Sequence, residues 1–180
     1  DMGAAVNAEA ELKMADMFDI CHGGGLDLCA LGLAEIDAMG NVNVSKFHGR
    51  VTGPGGFIDL AQHTKKLILM GTFTAGGLRE HCEGGRLVID REGKYQKFKT
   101  DIEQVTFSGD YAAAHGQHVL VVTERAVFRL TPQGLMLTEI APGVDLERDI
   151  LSQMEFRPLI ADDLQLMDGR IFQPNPMGLS

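Results

Sequence analysis

Basic residues are in short supply in this sequence, with 16 Lys and Arg against 25 Asp and Glu and a formal net charge of −9. Nucleic-acid grooves and anionic membrane surfaces are bound by clustered Lys and Arg, so this balance argues against both kinds of partner. No apolar run approaches the roughly 18 residues that suggest a membrane span. Any anionic ligand must therefore be held locally, by backbone amides or a few lysines.

Cysteine is also scarce. The three cysteines, Cys21, Cys29 and Cys82, are odd in number and lack the paired spacing of a zinc site, which favours a reduced, cytoplasmic chain. The six histidines show no HxxxH or HExxH spacing, so no metal site is expected. The opening "DMGAAVNAEA" has no basic or long apolar region typical of a secretory signal, and its lack of an initiator Met hints at a cleaved or truncated product.

What is present indicates a folded globular protein. The chain has 180 residues, 44% of them hydrophobic and 23% charged, which is ordinary for a soluble domain and too apolar for a disordered chain. A length within the usual range of roughly 100 to 200 residues, without a repeat or a low-complexity linker, predicts one domain over residues 1–180.

The first half of the chain predicts an α/β fold. The nearly continuous apolar segment 26–37 is typical of a strand buried on both faces of a parallel sheet, and 37–41 predicts a turn between two short strands. A helix is expected over 58–64 and a buried strand over 66–73. Together with the Gly-rich turn before them, these form an αβ unit of doubly wound type.

The second half predicts mostly antiparallel strands. An exposed hairpin is expected with its turn at Glu92 and Gly93 and with Tyr95, Lys97 and Lys99 alternating along its second strand. A β-meander follows, and then a helix with Asp145 as its N-cap. The meander strands are predicted over 119–123, 126–130 and 135–140, with a Pro-Gln-Gly turn between the last two.

The stretch "TGPGGF", residues 52–57, is the first candidate site. Backbone N–H groups at the start of a helix can bind an anion or an oxyanion, and glycine permits the close approach. Because Pro54 has no N–H, the donors would be Gly55, Gly56 or Phe57. The alternative is that these glycines only let the chain turn sharply into the helix. The stretch is neither a GxGxxG motif nor a P-loop.

The stretch "GNVNVS", residues 40–45, is the second candidate. In a strand, Asn41, Asn43 and Ser45 would share one face while Val42 and Val44 point into the core. A row of neutral donors and acceptors facing a cleft could hold a carboxylate or a thioester carbonyl. A hairpin with an exposed polar face explains the same residues.

Other chemistry-bearing residues are less informative. The loop "TAGG" follows a core strand, where α/β folds place binding loops, but such loops are frequently only connections. Several carboxylates lie near the apolar elements and could act as a base, but no partner can be named for them: Glu35, Asp37, Asp59 and Glu139.

Three long stretches resemble the C-terminal, β-type half of class I CoA-transferases, in particular the single-chain short-chain acyl-CoA:acetate or 3-ketoacid CoA-transferases. They are "GGGLDLCALGLAEIDAMGNVNVS", "GPGGFIDLAQHTKKLILMGTFTAGG" and "LTEIAPGVDLERDILSQMEFRP", and the resemblance runs over residues 18–172. It implies a mixed, largely parallel sheet flanked by helices. It also implies CoA transfer in short-chain fatty-acid or ketone-body metabolism, with coenzyme A as a substrate and no other cofactor.

In this family a glutamate carboxylate attacks an acyl-CoA thioester and forms an enzyme glutamyl-CoA thioester, which passes CoA to a second carboxylic acid. That glutamate stands in a Glu-Asn-Gly or Glu-Ser-Gly context, which neither Glu9 nor Glu11 has. No catalytic glutamate is therefore carried over, and the nucleophile is expected upstream of this chain. The positions that match as substrate- or CoA-binding residues are Gly53, Gly55, Gly56, Phe57, Asn41, Asn43, Gly76 and Gly77.

The sequence leaves three functions of this chain to be compared. The first is the C-terminal part of a CoA-transferase, inactive alone, lacking an α-type half and expected to self-associate through an exposed apolar surface. The second is a binding or assembly domain on the same fold. The third, a thioester hydrolase, would need a water-activating base and a complete pocket, and the sequence shows neither.

Overall fold

The computed structural model describes residues 7–179, so the first six residues of the Ala- and Met-rich opening lie outside it. Its three α-helices are Met14–Ile20 (α1), Phe57–Ala61 (α2) and Gly109–Ala114 (α3). The strands of the first half are Leu28–Gly32 (β1), Glu35–Ile36 (β2), Val42–Asn43 (β3), Lys46–Phe47 (β4), Arg50–Val51 (β5), Lys66–Met70 (β6), Thr74–Ala75 (β7) and Arg79–Glu83 (β8). The remaining strands are Arg86–Arg91 (β9), Tyr95–Gln96 (β10), His118–Val122 (β11), Ala126–Thr131 (β12), Gly134–Ile140 (β13) and Leu159–Leu166 (β14).

A six-stranded sheet organises the fold, in the order β1, β6, β11, β12, β13, β14. The first three strands run parallel to one another, β12 and β13 continue antiparallel as a meander, and β14 returns parallel to β13. This mixed, largely parallel sheet confirms the predicted α/β class. The meander is confirmed as well, and its turn contains Gly134 at a φ of +115°, a backbone conformation that favours glycine.

The hydrophobic core lies against one face of this sheet. Alternate residues of β6 and β11, among them Leu67, Leu69 and Val121, point into it because side chains of a strand alternate between its faces. Phe73, Phe98, Phe107 and Phe128 fill the space between the sheet and the shorter elements, with the rings of Phe73 and Phe98 stacked at 4.5 Å.

The opposite face of the sheet carries exposed apolar side chains. Leu28 is 58% exposed, Met70 49% and Leu120 37%, and a groove of about 490 Å³ runs between β1, β6, β11 and β12. The prediction that segment 26–37 forms a strand buried on both faces is therefore wrong. Strand β1 lies at the sheet edge and pairs with β6 alone among the described strands, and a nearly continuous apolar run does not distinguish an edge strand from a central one.

Two local predictions hold with small changes. The turn at 37–41 joins β2 and β3, and the carboxylate of Asp37 accepts the backbone N–H groups of Met39 and Asn41, both at 2.9 Å. Asp145 caps its helix by accepting the N–H of Arg148 at 2.8 Å, although the helix is a wide turn over Leu146–Ile150 followed by a 3₁₀ turn.

Within residues 7–179 no helix combines the length and the hydropathy that crossing a membrane requires.

The predicted hairpin turn at Glu92 and Gly93 is wrong. The hairpin pairs β8 with β9 and turns at Gly84 and Gly85, which both have positive φ. The segment after Glu92 instead crosses the molecule and pairs Tyr95–Gln96 with Thr74–Ala75. As a result Lys97, which was expected on an exposed strand, is buried.

Candidate functional site

A cleft of about 700 Å³ opens where the parallel strands end. The chain leaves β1 and β6 side by side at their carboxyl ends, with the N–H of Leu33 donating to the carbonyl of Met70 at 2.7 Å. Open α/β sheets bind ligands at this edge. The lining comes from the segments after β1 and β7, the hairpin β4–β5, and the chain around β10: Leu33, Ala34, Glu35, Phe47, His48, Ala75, Gly93, Lys94, Tyr95, Gln96, Lys97, Lys99, Gln153 and Glu155.

Charged side chains line this cleft in unequal environments. Lys99 forms an ion pair with Glu155, and this hydrogen bond holds the pKa of the Glu155 carboxyl below its ordinary value. Glu35 accepts the side-chain amide of Asn43 at 2.8 Å. Lys97 is 7% exposed, and its Nζ donates to the carbonyl of Thr72 at 2.9 Å. Burial lowers the pKa of Lys97, against the opposing effect of the negative charge of Glu124.

The Gly-rich turn has two backbone N–H groups that are available to a ligand. Gly53 and Gly55 have φ of +84° and +57°, and the N–H of Gly53 donates to the carbonyl of Ser45. The N–H of Phe57 donates to Pro54 at 3.1 Å, so it is already used. Of the three predicted donors, Gly55 and Gly56 therefore keep N–H groups without a partner in the described part of the chain. Their contact with a ligand stays a prediction.

Glycine at position 56 also serves packing. A Cβ built on Gly56 would lie 2.7 Å from Cε1 of Phe18, so the ring from α1 closes over the turn. No atom of another residue lies within 4 Å of a Cβ built on Gly53 or Gly55. The turn is thus open above Gly53 and Gly55 and closed by Phe18 at Gly56.

The predicted row of amides does not face the cleft. Asn43 is fully buried and Ser45 is 1% exposed, as deep in the protein as Val42. Both ends of the Asn43 amide are used: Nδ2 donates to Glu35 and to the carbonyl of Lys46, and Oδ1 accepts the N–H groups of Ser45 and Lys46. The prediction of one continuous strand is wrong, because β3 ends at Asn43 and the chain bends at Ser45, where the Asn43 side chain binds the backbone.

Asn41 is similarly occupied. Its Nδ2 donates to Asp37 at 2.9 Å, and its Oδ1 accepts the N–H of Gly109 at the start of α3. Both amides therefore hold the backbone that surrounds the candidate site. A direct contact of Asn41 or Asn43 with a ligand is untested and stays a prediction.

Gly76 and Gly77 lie apart from the other predicted residues. They have φ of +81° and +99°, Gly76 packs against the ring of Tyr95, and the carbonyl of Gly77 accepts two hydrogen bonds from Arg91. The structure thus brings Asn43 and Gly53 together around Ser45 and leaves this pair of glycines near β9 and β10. None of the eight residues predicted to bind the substrate or CoA lines the cleft, although Ala75 beside Gly76 does. Of the four carboxylates considered as a base, Glu35 lies in its lining.

A buried ionic network was missed by sequence reasoning. Arg125 is completely buried, forms ion pairs with Glu92 and Glu124, and donates to the carbonyl of Asp149 at 3.1 Å. Glu92 also accepts the hydroxyl of Thr74 at 2.9 Å. The network connects the turn before β12 to the loop beside the cleft. The sequence shows only that Glu124 and Arg125 are adjacent, and gives no signal for the contacts of Arg125 with Glu92 and Asp149.

The histidines and cysteines do not form a catalytic or metal-binding cluster in the described residues. His22 lies 3.6 Å from Asp59, and its ring centroid is 4.5 Å from that of His63. Cys21 is buried against Met17. Within residues 7–179 no group of three His, Cys, Asp or Glu side chains has the geometry to hold a metal ion.

Comparison with known proteins gives a consistent set of relatives. The chain is 51% identical over 176 residues to acetate CoA-transferase YdiF of Escherichia coli K12, an alignment that covers 98% of this chain and 33% of that protein. It is 47% identical over 188 residues to caffeate CoA-transferase of Acetobacterium woodii, covering 99% and 35%. It is 31% identical over 161 residues to the beta subunit of acetate CoA-transferase of E. coli K12, covering 89% and 64%. No protein-family model matches.

The solved structures agree with these relatives. The thioester complex of the acyl-CoA transferase YdiF of E. coli O157:H7 with CoA superposes with a TM-score of 0.94 at 49% identity, over 99% of this chain and 35% of that one. The chain spans about a third of the length of YdiF and of caffeate CoA-transferase. The fold described above is therefore that of one part of such a protein.

Proposed function

Because the chain belongs to the class I CoA-transferase family and corresponds to its β-type part, we propose that it serves in an enzyme that moves coenzyme A from a short-chain acyl-CoA to a carboxylic acid. The observation that carries this function is the 51% identity to acetate CoA-transferase YdiF across 98% of the chain. Since that match covers 33% of YdiF, the activity is ascribed to a larger protein or assembly that contains this part.

The proposed reaction proceeds through covalent steps on a glutamate. Its carboxylate attacks the thioester carbonyl, and CoA leaves as the thiolate, which gives an acyl-glutamyl anhydride. The thiolate then attacks the glutamyl carbonyl, forms the glutamyl-CoA thioester and releases the first acid. A second acid reverses these steps. The complex of YdiF with CoA is described as a thioester, which supports this route. The glutamate is placed outside the 180 residues, because Glu9 and Glu11 lack the family context.

The Gly-rich turn would stabilise the negative charge that develops during each attack. The N–H groups of Gly55 and Gly56 have no partner within residues 7–179, and the backbone around Gly53 and Gly55 is open. Such preorganised donors stabilise an oxyanion because they need no reorganisation when the charge forms. Asn43 would act indirectly, since it holds Ser45, whose carbonyl anchors Gly53.

The proposed assembly includes an α-type partner, either a separate subunit or a second half of one chain. The similarity to the beta subunit of acetate CoA-transferase supports this partner. The exposed apolar face of the sheet, with Leu28, Met70 and Leu120, offers a surface that further protein would cover. Self-association of the isolated chain through this face remains an expectation.

A chimera tests the proposed function. We would replace the homologous stretch of YdiF with this chain and measure transfer of CoA from acetyl-CoA to butyrate, with unmodified YdiF as the positive control. We expect transfer, and a hydroxylamine-labile CoA adduct on the chimera. A chimera that folds, as judged by circular dichroism, and binds CoA without transferring it would contradict the enzymatic role and favour the binding or assembly domain.

A further inference from the structure

Lys97 is a buried cation without a counter-ion. Lys97 lines the cleft at the carboxyl ends of the parallel strands, and the residue is 7% exposed. Among residues 7–179 no carboxylate oxygen lies within 4.0 Å of its Nζ. The carbonyl of Thr72 accepts one of the three N–H donors of the ammonium, which leaves two donors without a protein partner in that part of the chain.

The surroundings of Lys97 hold it at this depth. A Cβ built on Gly71 would lie 2.7 Å from Nζ and 3.0 Å from the carbonyl oxygen of Leu33, so only glycine leaves room for the ammonium there. Phe98, the next residue, is completely buried in the core and fixes the backbone. Burial of an unpaired charge is unfavourable, so a protein that keeps one beside a cleft commonly uses it for a ligand.

The other lysines of the cleft are already accounted for. Lys99 is paired with Glu155. Lys94 is exposed, and its ammonium lies 5.2 Å from the centre of the Tyr95 ring. Lys97 is therefore the buried ammonium of the cleft that is available for an anion.

On the basis of the proposed function, we propose that Lys97 binds the carboxylate of the acid that exchanges CoA. A carboxylate carries one negative charge and matches one ammonium with two remaining donors. A phosphate group of CoA is less suitable, because it carries more charge and would meet the carboxylates of Glu35 and Glu155 in the same cleft. Lys97 would thus orient the acid at the end of the sheet.

The test uses the 180-residue chain with lysine labelled at its ε-carbon. Propionate is titrated while the lysine NMR signals are recorded, and Lys97→Met identifies the Lys97 signal. We expect a saturable shift of that signal with propionate and none with propionamide, which has the same shape without the charge. No response to propionate would overturn the proposal, and this measurement on the unmodified chain does not depend on a variant that folds. A stronger response to inorganic phosphate than to propionate would also overturn it, in favour of a phosphate site.

Matched variants locate the effect. Lys97→Met should weaken propionate binding about ten-fold or more, the effect of losing a hydrogen bond to a charged group, whereas Lys94→Met, at an exposed lysine of the same cleft, should leave it unchanged. Equal binding by the Lys97→Met chain and the unmodified chain would contradict the proposal.

The YdiF chimera separates this proposal from the proposed function. In an active chimera, Lys97→Met should raise the KM for the acid more than it changes the KM for acetyl-CoA, and an unchanged KM for the acid would contradict the role of Lys97. A folded chimera without transfer, together with a propionate-responsive Lys97 in the isolated chain, would contradict the proposed function while supporting the carboxylate site.

Discussion

The side-chain amide of Asn43 donates to the carboxylate of Glu35 across the first hairpin, with 2.8 Å between Nδ2 and Oε2. Asn43 is completely buried, and its Oδ1 accepts two backbone N–H groups. The pair links the wall of the cleft, where Glu35 lies, to the backbone that carries the Gly-rich turn.

Replacement of Asn43 by Asp should therefore destabilise the fold. The variant keeps both acceptor positions but sets a buried carboxylate against the half-buried carboxylate of Glu35, and we expect a loss of about 2 kcal/mol in the free energy of unfolding at pH 7. Urea denaturation measures this loss. Asn175→Asp, at an exposed position, is the control and should change the value by no more than about 0.5 kcal/mol. An equally stable Asn43→Asp protein would contradict a structural role for this amide and favour its predicted contact with a ligand.

Arg125 is expected to be a larger contributor to stability. Its removal in Arg125→Met leaves Glu92 and Glu124 without their buried cation, and breaking such a pair on one side costs about 3–5 kcal/mol. Urea denaturation again provides the measurement. Arg129→Met changes an exposed arginine of β12, the strand that begins directly after Arg125, and should have little effect. Similar stabilities of the two variants would show that the network contributes little.

Acid sensitivity should depend on Asp149. The side-chain hydrogen bond from Arg148 lowers the pKa of this carboxyl, assisted by the N–H of Asp145 and against the effect of burial. A carboxyl with a lowered folded pKa stabilises the protein above its unfolded pKa of about 3.9. That contribution is lost as the pH falls below about 4 and through the folded pKa.

Asp149→Asn measures this contribution. The variant should lose about 1 kcal/mol of stability at pH 7 through its weaker hydrogen bonds, and the difference from the unmodified chain should shrink in urea melts at pH 3. Asp163→Asn, at an exposed position of β14, should show no such pH-dependent difference. A constant difference between pH 7 and pH 3 for Asp149→Asn would contradict the predicted linkage.

These residues show which features a sequence reveals. The meander and the turn at Asp37 were predicted because glycine, proline and short polar side chains favour those conformations locally. The hairpin turn at Gly84 and Gly85 also had a visible signal, a pair of glycines, but Glu92 and Gly93 were chosen instead. The edge position of β1 could not be predicted, because pairing partners are set by the whole sheet.

Some features of the candidate site could likewise be predicted from the sequence, and others could not. The Gly-rich turn could be found from residues 52–57 alone, because glycine and proline mark turns by residue type. The burial of Lys97 could not, because alternation in a short strand predicts an exposed lysine. Its depth arises from the crossing of segment 92–99 over the ends of the parallel strands, a tertiary relationship without a local signal.

Binding of an acid at Lys97 should weaken at alkaline pH. Burial lowers the pKa of Lys97 from its ordinary value, the negative charge of Glu124 opposes this, and the cleft also contains Lys99 paired with Glu155. An anion requires the protonated ammonium, so propionate affinity should be highest below the lowered pKa and fall as the pH rises through it. Calorimetric or NMR titrations at pH 7, 8, 9 and 10 check this. A propionate affinity that does not change between pH 7 and pH 10 would contradict this prediction.

Bound propionate should in turn change the pKa of Lys97, and Lys94 provides a control for this effect. Propionate should raise the pKa of Lys97, because a bound anion favours the charged form, while the NMR signal of exposed Lys94 should not respond to propionate. A shift of both signals would indicate a general salt effect rather than a site.

The isolated chain should form no covalent CoA adduct. Glu9 and Glu11 are exposed, and a glutamyl-CoA thioester on an exposed carboxylate would lack both the oxyanion donors and the exclusion of water that the reaction needs. Intact-mass spectrometry after incubation with acetyl-CoA, with and without hydroxylamine, should therefore show an unchanged mass, with YdiF treated in parallel as the positive control. A hydroxylamine-labile CoA adduct would place a working nucleophile within these residues. Peptide mapping would then separate Glu9 and Glu11 from Glu35, the carboxylate that lines the cleft beside Lys97.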